Sequence, residues 1–220
     1  MASGELVAFL DSDDVWLPGK FDAELHALEC FPDADAVVSD SQNFLEGQAS
    51  DRSRFALNGL LAATQGQVGW VSECDWLWTN SMNTVATSSI ILRHGALAHL
   101  GDTLFAEDLV CCEDWEFQMR VYHRCRVVVL PEIWTRVRRF ADGSRLGRAV
   151  PGKPRTREQE IRLLHDRLTV IERSHWVSEL DVHLAFEFER FRIDTARQLA
   201  QPTRSEQEAS APVTLGAKAL

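Results

Sequence analysis

The sequence has no apolar run that approaches the ~18–20 residues needed to cross a lipid bilayer. Its opening residues, MASGE, lack the basic start of a secretory signal peptide. Lysine is also scarce: only Lys20, Lys153 and Lys218 occur, and arginine supplies the rest of the positive charge. We therefore expect a cytoplasmic protein without a membrane-spanning segment.

The chain has no excess of positive charge either. Its 23 lysine and arginine residues are outnumbered by 33 aspartates and glutamates, for a formal net charge of −10 at pH 7. Such a chain is a poor general binder of nucleic acid, which requires a cationic surface that displaces counterions. Phosphate ligands remain compatible with this charge, because a metal ion or a few local arginines can bind them on an acidic protein.

Cysteine forms no metal-binding or disulfide pattern. There are five, an odd number, and no two have CxxC spacing: Cys30, Cys74, Cys111, Cys112 and Cys125. The adjacent Cys111 and Cys112 are poorly placed for a disulfide or a zinc pair. We expect reduced thiols, as in cytosolic proteins.

The 220 residues, 45% of them hydrophobic, predict one globular domain with a tail. Residues 5–10 form a short apolar run, typical of a buried parallel strand, that ends in the acids of residues 11–14. Pro18 then suits the first turn of a helix, and residues 36–38 predict a second strand. This order predicts a doubly wound α/β fold with a mostly parallel sheet flanked by helices.

The rest of the chain is less regular at first and then helical. Residues 41–83 lack periodicity and predict a binding loop or lid. A helix is predicted from Asp114, and a strand over residues 126–130, ended by Pro131. Residues 156–200 have mostly helical periodicity.

The acidic loop is the strongest chemical signal in the residues themselves. Asp11 and Asp13 are separated by one residue around a turn, and clustered carboxylates repel one another unless a cation balances them. Such a pair suits Mg²⁺ or Mn²⁺, which bind one or two carboxylates and leave positions for substrate phosphates. The same residues also fit a solvated turn whose aspartates cap the following helix.

Four segments resemble family-2 glycosyltransferases of the GT-A fold and occur in that family's order. Residues 4–18, GELVAFLDSDDVWLP, are similar to its DxD segment, and residues 87–93, TSSIILR, to the strand after its acceptor loops. Residues 113–120, EDWEFQMR, resemble its "ED" helix start, and residues 127–132, VVVLPE, resemble its closing strand. The likeness covers residues 4–148 and implies a GT-A-like, Rossmann-like fold.

The resemblance implies a role for three acids. Asp13 matches the acid that holds Mg²⁺ or Mn²⁺ against the nucleotide diphosphate, and Asp11 the first DxD acid, near the ribose or the metal's water shell. Asp114 matches the base that takes a proton from the acceptor hydroxyl, although by itself it also fits a helix N-cap. The implied reaction is metal-dependent, inverting transfer of a sugar from a nucleoside-diphosphate sugar to a hydroxyl of a glycan, lipid or metabolite.

Further positions are expected around the same site. Glu113 is expected beside the base, acting through it. Trp76 and Trp78 would stack on an acceptor or sugar ring, or else line the core. Three arginines after the closing strand would contact the diphosphate, or else form a solvated strand end: Arg136, Arg138 and Arg139.

The chain departs from the family in where its acidic loop lies. A full-length member has strands and helices before this loop, including an acid that reads the nucleobase, whereas here the loop begins at residue 11. We expect residues 1–150 to form a partial GT-A domain, residues 151–200 a helical extension and residues 201–220 a disordered tail. Without the strands that precede the loop in the family, the sheet would have an exposed apolar edge, which favours pairing with a second copy of the chain.

Two other functions fit parts of the sequence. Residues 10–15, LDSDDV, also match the nucleophile strand of haloacid-dehalogenase-type phosphatases, with Asp11 attacking phosphorus and Asp13 acting as acid and base. Residues 101–107 resemble the distal acidic motif of that family. Alternatively, the chain is an inactive transferase remnant that serves as an interaction module through the helices after residue 156. A lipid acceptor would add peripheral membrane association.

Overall fold

The computed structural model describes most of the chain, namely residues 3–45, 47–72, 85–139, 156–179 and 182–201. Of the tail expected over residues 201–220, residues 202–220 lie outside the described residues, as do residues 140–155.

Seven strands within the described residues form one sheet. In chain order they are β1 Leu6–Ala8, β2 Val15–Trp16, β3 Ala36–Leu45, β4 Gln48–Ala49, β5 Gly69–Trp70, β6 Ile90–Arg93 and β7 Val127–Arg138. The main order across the sheet is β1-β6-β3-β7-β2, with β4 paired to β3 and β5 paired to β7.

Six α-helices and three 3₁₀ segments accompany these strands in the described part of the chain. The α-helices are α1 Lys20–Cys30, α2 Arg54–Asn58, α3 Leu60–Ala63, α4 Glu113–Arg124, α5 Arg157–Arg173 and α6 Val182–Ala200. The 3₁₀ segments are Thr87–Ser89, His94–His99 and His175–Glu179. None of the helices in the described ranges is long and apolar enough to span a membrane.

The α/β class is confirmed, but the prediction of a mostly parallel sheet is not: the sheet is mixed and mostly antiparallel. Only β3 and β7 pair in parallel among the described strands. β6 lies between β1 and β3 and runs opposite to both, so the first two predicted strands point the same way without touching. The error has a physical cause, because a strand buried on both faces is apolar whichever way it runs.

Two predicted boundaries also differ from the structure. The strand predicted to end at Pro131 continues as β7 to Arg138, because Pro131 and Glu132 fall in a register shift opposite Ser39 and Asp40. A bulge tolerates proline, since it needs no ladder hydrogen bond there. The predicted loop or lid over residues 41–83 contains the end of β3, then β4, α2, α3 and β5.

The core lies on both faces of the sheet. Alternate residues of β3 and β7, such as Val38 and Val129, pack with Phe117 of α4, whereas Val37 and Val128 pack on the α1 side. This is the two-residue alternation of strands buried on both faces. A third apolar cluster joins α4 to the C-terminal helices: Leu109, Trp115, Met119, Val170, Ile171, Val177 and Phe188.

A buried ion pair fixes α1 to the sheet. Lys20 and Glu24 lie one turn apart and are in contact, with side chains 2% and 0% exposed. The Lys20 ammonium also lies 3.4 Å from the Ser39 hydroxyl of β3. Burial lowers the pKa of Lys20 and raises that of Glu24, while the attraction between them opposes both shifts. Removing either partner would leave an uncompensated buried charge.

Two phenylalanines test which apolar contacts stabilise this fold. Phe117 is fully buried, so we expect Phe117→Ala to lower the free energy of unfolding by about 3–5 kcal/mol through lost burial and a cavity. Phe186 of α6 is 66% exposed, so Phe186→Ala should change it by less than about 0.5 kcal/mol. Urea denaturation of both variants checks this, and equal losses would contradict the described core.

Candidate active site

The acidic loop crosses one end of the sheet. β1 and β2 occupy the two ends of the main strand order, so the residues that connect them run past the strands in between. The Asp14 N–H donates to the Asp11 carbonyl over 3.0 Å and closes a turn. Within this turn Asp11 is exposed, Asp13 is half-buried and Asp14 is buried. Asp14 therefore differs in environment from the two acids that carry the predicted metal site.

Asp14 connects the loop to two distant parts of the chain. Its Oδ2 accepts a hydrogen bond from the Ser88 hydroxyl over 2.7 Å, and its Oδ1 accepts one from the Arg138 N–H over 3.1 Å. A buried carboxylate requires such partners, because desolvation penalises the charged group. Both oxygens of Asp14 serve the structure of the loop.

Ser88 is the residue on which these connections meet. Its hydroxyl oxygen accepts from the Asp11 N–H over 3.0 Å, in addition to donating to Asp14. Its carbonyl accepts from the Trp16 indole N–H over 2.8 Å and from the Thr135 hydroxyl over 3.3 Å. The 3₁₀ turn before β6 thus holds both ends of the acidic loop and the neighbouring strand β7.

Ser88 and Asp14 are site residues that the sequence motifs do not point to. Residues 87–93 match a family strand, but two adjacent serines in an apolar run are themselves a signal. Buried hydroxyls need hydrogen-bond partners, so a pair of them before a core strand indicates a polar connection. The sequence contained no indication of which of the three loop acids is that partner.

The predicted base lies in the first turn of α4, whose start is conformationally unusual. Cys112 precedes the helix in the left-handed region, with φ 70°. A residue with a Cβ costs roughly 1–2 kcal/mol in this conformation, so the surrounding structure must hold it. Asp114 is half-buried, and its Oδ1 accepts a hydrogen bond from the Trp115 N–H over 2.8 Å.

The start of α4 lies within electrostatic range of the acidic loop. Burial raises the pKa of Glu113, and the negative charges of Asp114, Asp166 and Asp11 raise it further. A contribution from Asp11, about a hundred positions earlier in the chain, is felt only if the two carboxylates lie near each other. The fold therefore brings Asp11 towards the Glu113–Asp114 pair.

An aromatic cluster explains this approach. Phe9, two residues before Asp11, packs against Phe117 of α4 with ring centroids 5.2 Å apart. Phe105 contacts both rings, at 5.8 Å from Phe9 and 4.8 Å from Phe117. These edge-on and tilted contacts fix the end of β1 against the first half of α4.

The three predicted arginines have different surroundings. Arg136 is exposed and lies opposite Val15 in the β2–β7 register. Arg138 has its backbone bonded to Asp14 and its guanidinium 5.4 Å above the Phe44 ring. Arg139 donates from Nε to the Asn43 side chain over 2.9 Å. Arg136 and Arg138 therefore lie next to the acidic loop, whereas the Arg139 side chain is hydrogen-bonded to Asn43 of β3.

Trp76 and Trp78, predicted to stack on an acceptor or sugar ring, lie outside the described residues. Within the described ranges, no three histidine, cysteine or carboxylate side chains group together to hold a metal ion by themselves. A Mg²⁺ or Mn²⁺ ion shared with substrate phosphates requires fewer protein ligands. The exposed Asp11 and half-buried Asp13 fit such a shared ion in number and type of donor.

No protein-family model matches the chain, and no curated protein matches it significantly.

A pair of adjacent serines tests the polar connection. Ser88→Ala would remove the hydroxyl that donates to the buried Asp14 Oδ2, so we expect the free energy of unfolding to fall by about 1–3 kcal/mol. Ser89 is equally buried, but its hydroxyl has no hydrogen-bond partner among the described residues, so Ser89→Ala should be neutral or slightly stabilising. Urea denaturation compares the two, and indistinguishable variants would contradict the role given to Ser88.

Proposed function

We propose that the chain is an inverting glycosyltransferase of the GT-A type. It would transfer a sugar from a nucleoside-diphosphate sugar to a hydroxyl acceptor with Mg²⁺ or Mn²⁺. The observation that best supports this proposal is the contact between Phe9 and Phe117, whose ring centroids are 5.2 Å apart and which lie two residues before Asp11 and three residues after Asp114. Acids for the diphosphate side and a carboxylate for the acceptor side thus occur together, as the reaction requires.

The acidic loop would bind the donor. Asp13, with Asp11 beside it, would hold the metal ion, while Asp14 keeps the turn in shape through Ser88. The bound ion would neutralise charge on the departing diphosphate. Arg136 is exposed and lies opposite Val15, directly after the loop, so its guanidinium would add a positive charge for the diphosphate.

Asp114 would accept the proton of the acceptor hydroxyl. As the hydroxyl oxygen bonds to the anomeric carbon, the bond from that carbon to the diphosphate oxygen breaks, and the configuration inverts. Asp114 Oδ1 accepts from the Trp115 N–H, and Oδ2 would take the proton. Catalysis would depend on how accurately the first turn of α4 places this carboxylate against the acceptor hydroxyl.

The phosphatase alternative has less support. Its distal acidic motif should follow a strand, whereas residues 101–107 come after the 3₁₀ segment His94–His99. We therefore retain the transferase as the proposed function.

Metal binding separates the loop acids from other surface acids. We expect Asp13→Ala to weaken nucleotide-dependent Mn²⁺ binding at least about tenfold, because carboxylate oxygens are the preferred ligands of this ion. Asp22→Ala, an exposed substitution in α1, should leave binding unchanged. Electron paramagnetic resonance of Mn²⁺ with UDP, and separately with GDP, measures this. Equal binding by the two variants would refute the metal role of Asp13.

A second experiment tests the base. Asp114→Asn should reduce kcat by about 10²–10⁴-fold, since it removes the proton acceptor but leaves the acidic loop intact. Release of nucleoside diphosphate is measured with a panel of nucleoside-diphosphate sugars and hydroxyl acceptors. Asp102→Asn, an exposed substitution before α4, is the control. A variant at position 114 with full activity would rule out this base.

A further inference from the structure

One carboxylate of the C-terminal helix α5 holds the loop that leads into α4. Oδ2 of Asp166 accepts hydrogen bonds from two consecutive backbone N–H groups, that of Val110 over 3.0 Å and that of Cys111 over 2.7 Å. Asp166 is buried, and its partners lie 56 and 55 positions earlier in the chain. These bonds therefore connect two separate regions of the fold.

The bonded residues lie directly before the strained position. Cys112 follows Cys111, adopts the left-handed conformation, and provides no side-chain cap for α4. Glu113 and Asp114 come next, so the orientation of this turn determines where the first carboxylates of α4 lie. A left-handed residue with a Cβ persists only where neighbouring contacts over-determine it, and Asp166 supplies two such contacts.

Helix α5, which carries Asp166, is itself held in place by a capping box and by packing against α4. Its N-terminus has a capping box, in which Thr156 and Gln159 each accept a hydrogen bond from the other's backbone N–H. Val170 and Ile171 of α5 pack in the same cluster as Trp115 of α4. A side chain on a packed helix places its partners more accurately than one on a loop.

We propose that Asp166 is a positioning residue that fixes the start of α4 and, through it, the place of Asp114. The anchoring rests on the hydrogen bonds alone, while its catalytic consequence rests on the proposed function. In this arrangement α5 is part of the machinery that orients the proton acceptor, rather than a separate appendage.

Amide hydrogen exchange measures the anchoring without any substrate. In the full chain, Asp166→Ala should increase the exchange rates of the Val110 and Cys111 amides at least about tenfold, because their acceptor is gone. Asp166→Asn keeps an oxygen that accepts both bonds, so it should retain most of the protection. It also keeps the test available should the alanine variant fail to fold. Unchanged exchange of the Val110 and Cys111 amides in Asp166→Ala would overturn the proposal. So would a folded variant, with alanine or asparagine, that loses protection equally at amides across the whole chain.

A matched control uses a second polar contact between α5 and the loop before α4. Arg173 of α5 contacts Asp108 over 2.6 Å, and both side chains are partly exposed. Arg173→Gln removes this ion pair without touching Asp166, and exposed pairs contribute little to stability. We expect exchange at Val110 and Cys111 to stay at the wild-type rate. If exchange accelerates as much as in Asp166→Ala, the loss of either contact with α5 exposes the two amides, and the specific role of Asp166 is overturned.

The kinetic constants kcat and KM add a second measurement, because a general loss of stability would not lower kcat alone. Asp166→Ala should lower kcat about a hundredfold, with the KM for the donor unchanged, because misplacing the proton acceptor leaves the acidic loop intact. Asp166→Asn should recover most of this loss. A rise in the donor KM with kcat unchanged would contradict the positioning role. A wild-type chain that turns over no donor would count against the proposed function, while the exchange rates would still decide the anchoring.

Discussion

The hydrogen bond between the Ser88 hydroxyl and the buried carboxylate of Asp14 is the contact on which the candidate site depends. It joins a loop near the start of the chain to the turn before β6, and the second oxygen of Asp14 extends the connection to β7. Hydrogen-bond donors compensate a buried carboxylate for its lost hydration, and removing one of them lowers the stability of the fold. The shape of the acidic loop is therefore tied to the centre of the sheet.

The two halves of the site are built on one plan. In each, a buried aspartate holds the backbone and takes no part in the proposed chemistry. Asp14, on the proposed donor side, accepts from the Arg138 N–H and the Ser88 hydroxyl, and Asp166, on the proposed acceptor side, accepts from two backbone N–H groups. The acids proposed to hold the metal ion and to accept the proton, Asp13 and Asp114, are less buried. Under the proposed function, this division would let the less buried carboxylates meet the substrate while buried hydrogen bonds hold the backbone behind them.

Local patterns predicted much of the fold, and long-range pairing was the part they could not supply. The apolar run before Asp11, the proline before α1 and the periodicity of α4 are short-range signals, and the structure has elements at all three. Strand direction is different, because β6 is apolar on both faces whichever neighbour it meets. Likewise, nothing near Asp166 in the sequence indicates that its partners lie 55 and 56 positions away. For the site, the resemblance drew attention to the acids that would react, while the residues that hold them emerged only from the folded chain.

The parallel pairing of β3 with β7 has a consequence for how the protein is made. Asp35 and Arg126, at the start of this pairing, are 91 positions apart, so the pairing forms only after all the residues between them have been synthesised. Non-local parallel pairs form slowly, since a large loop must close before any contact compensates for its lost entropy. Until β7 is synthesised, β3 has apolar residues on both faces and lacks one of its neighbouring strands. Expression at lower temperature or with chaperones should therefore raise the yield of native protein more than it would for a helical bundle of equal length.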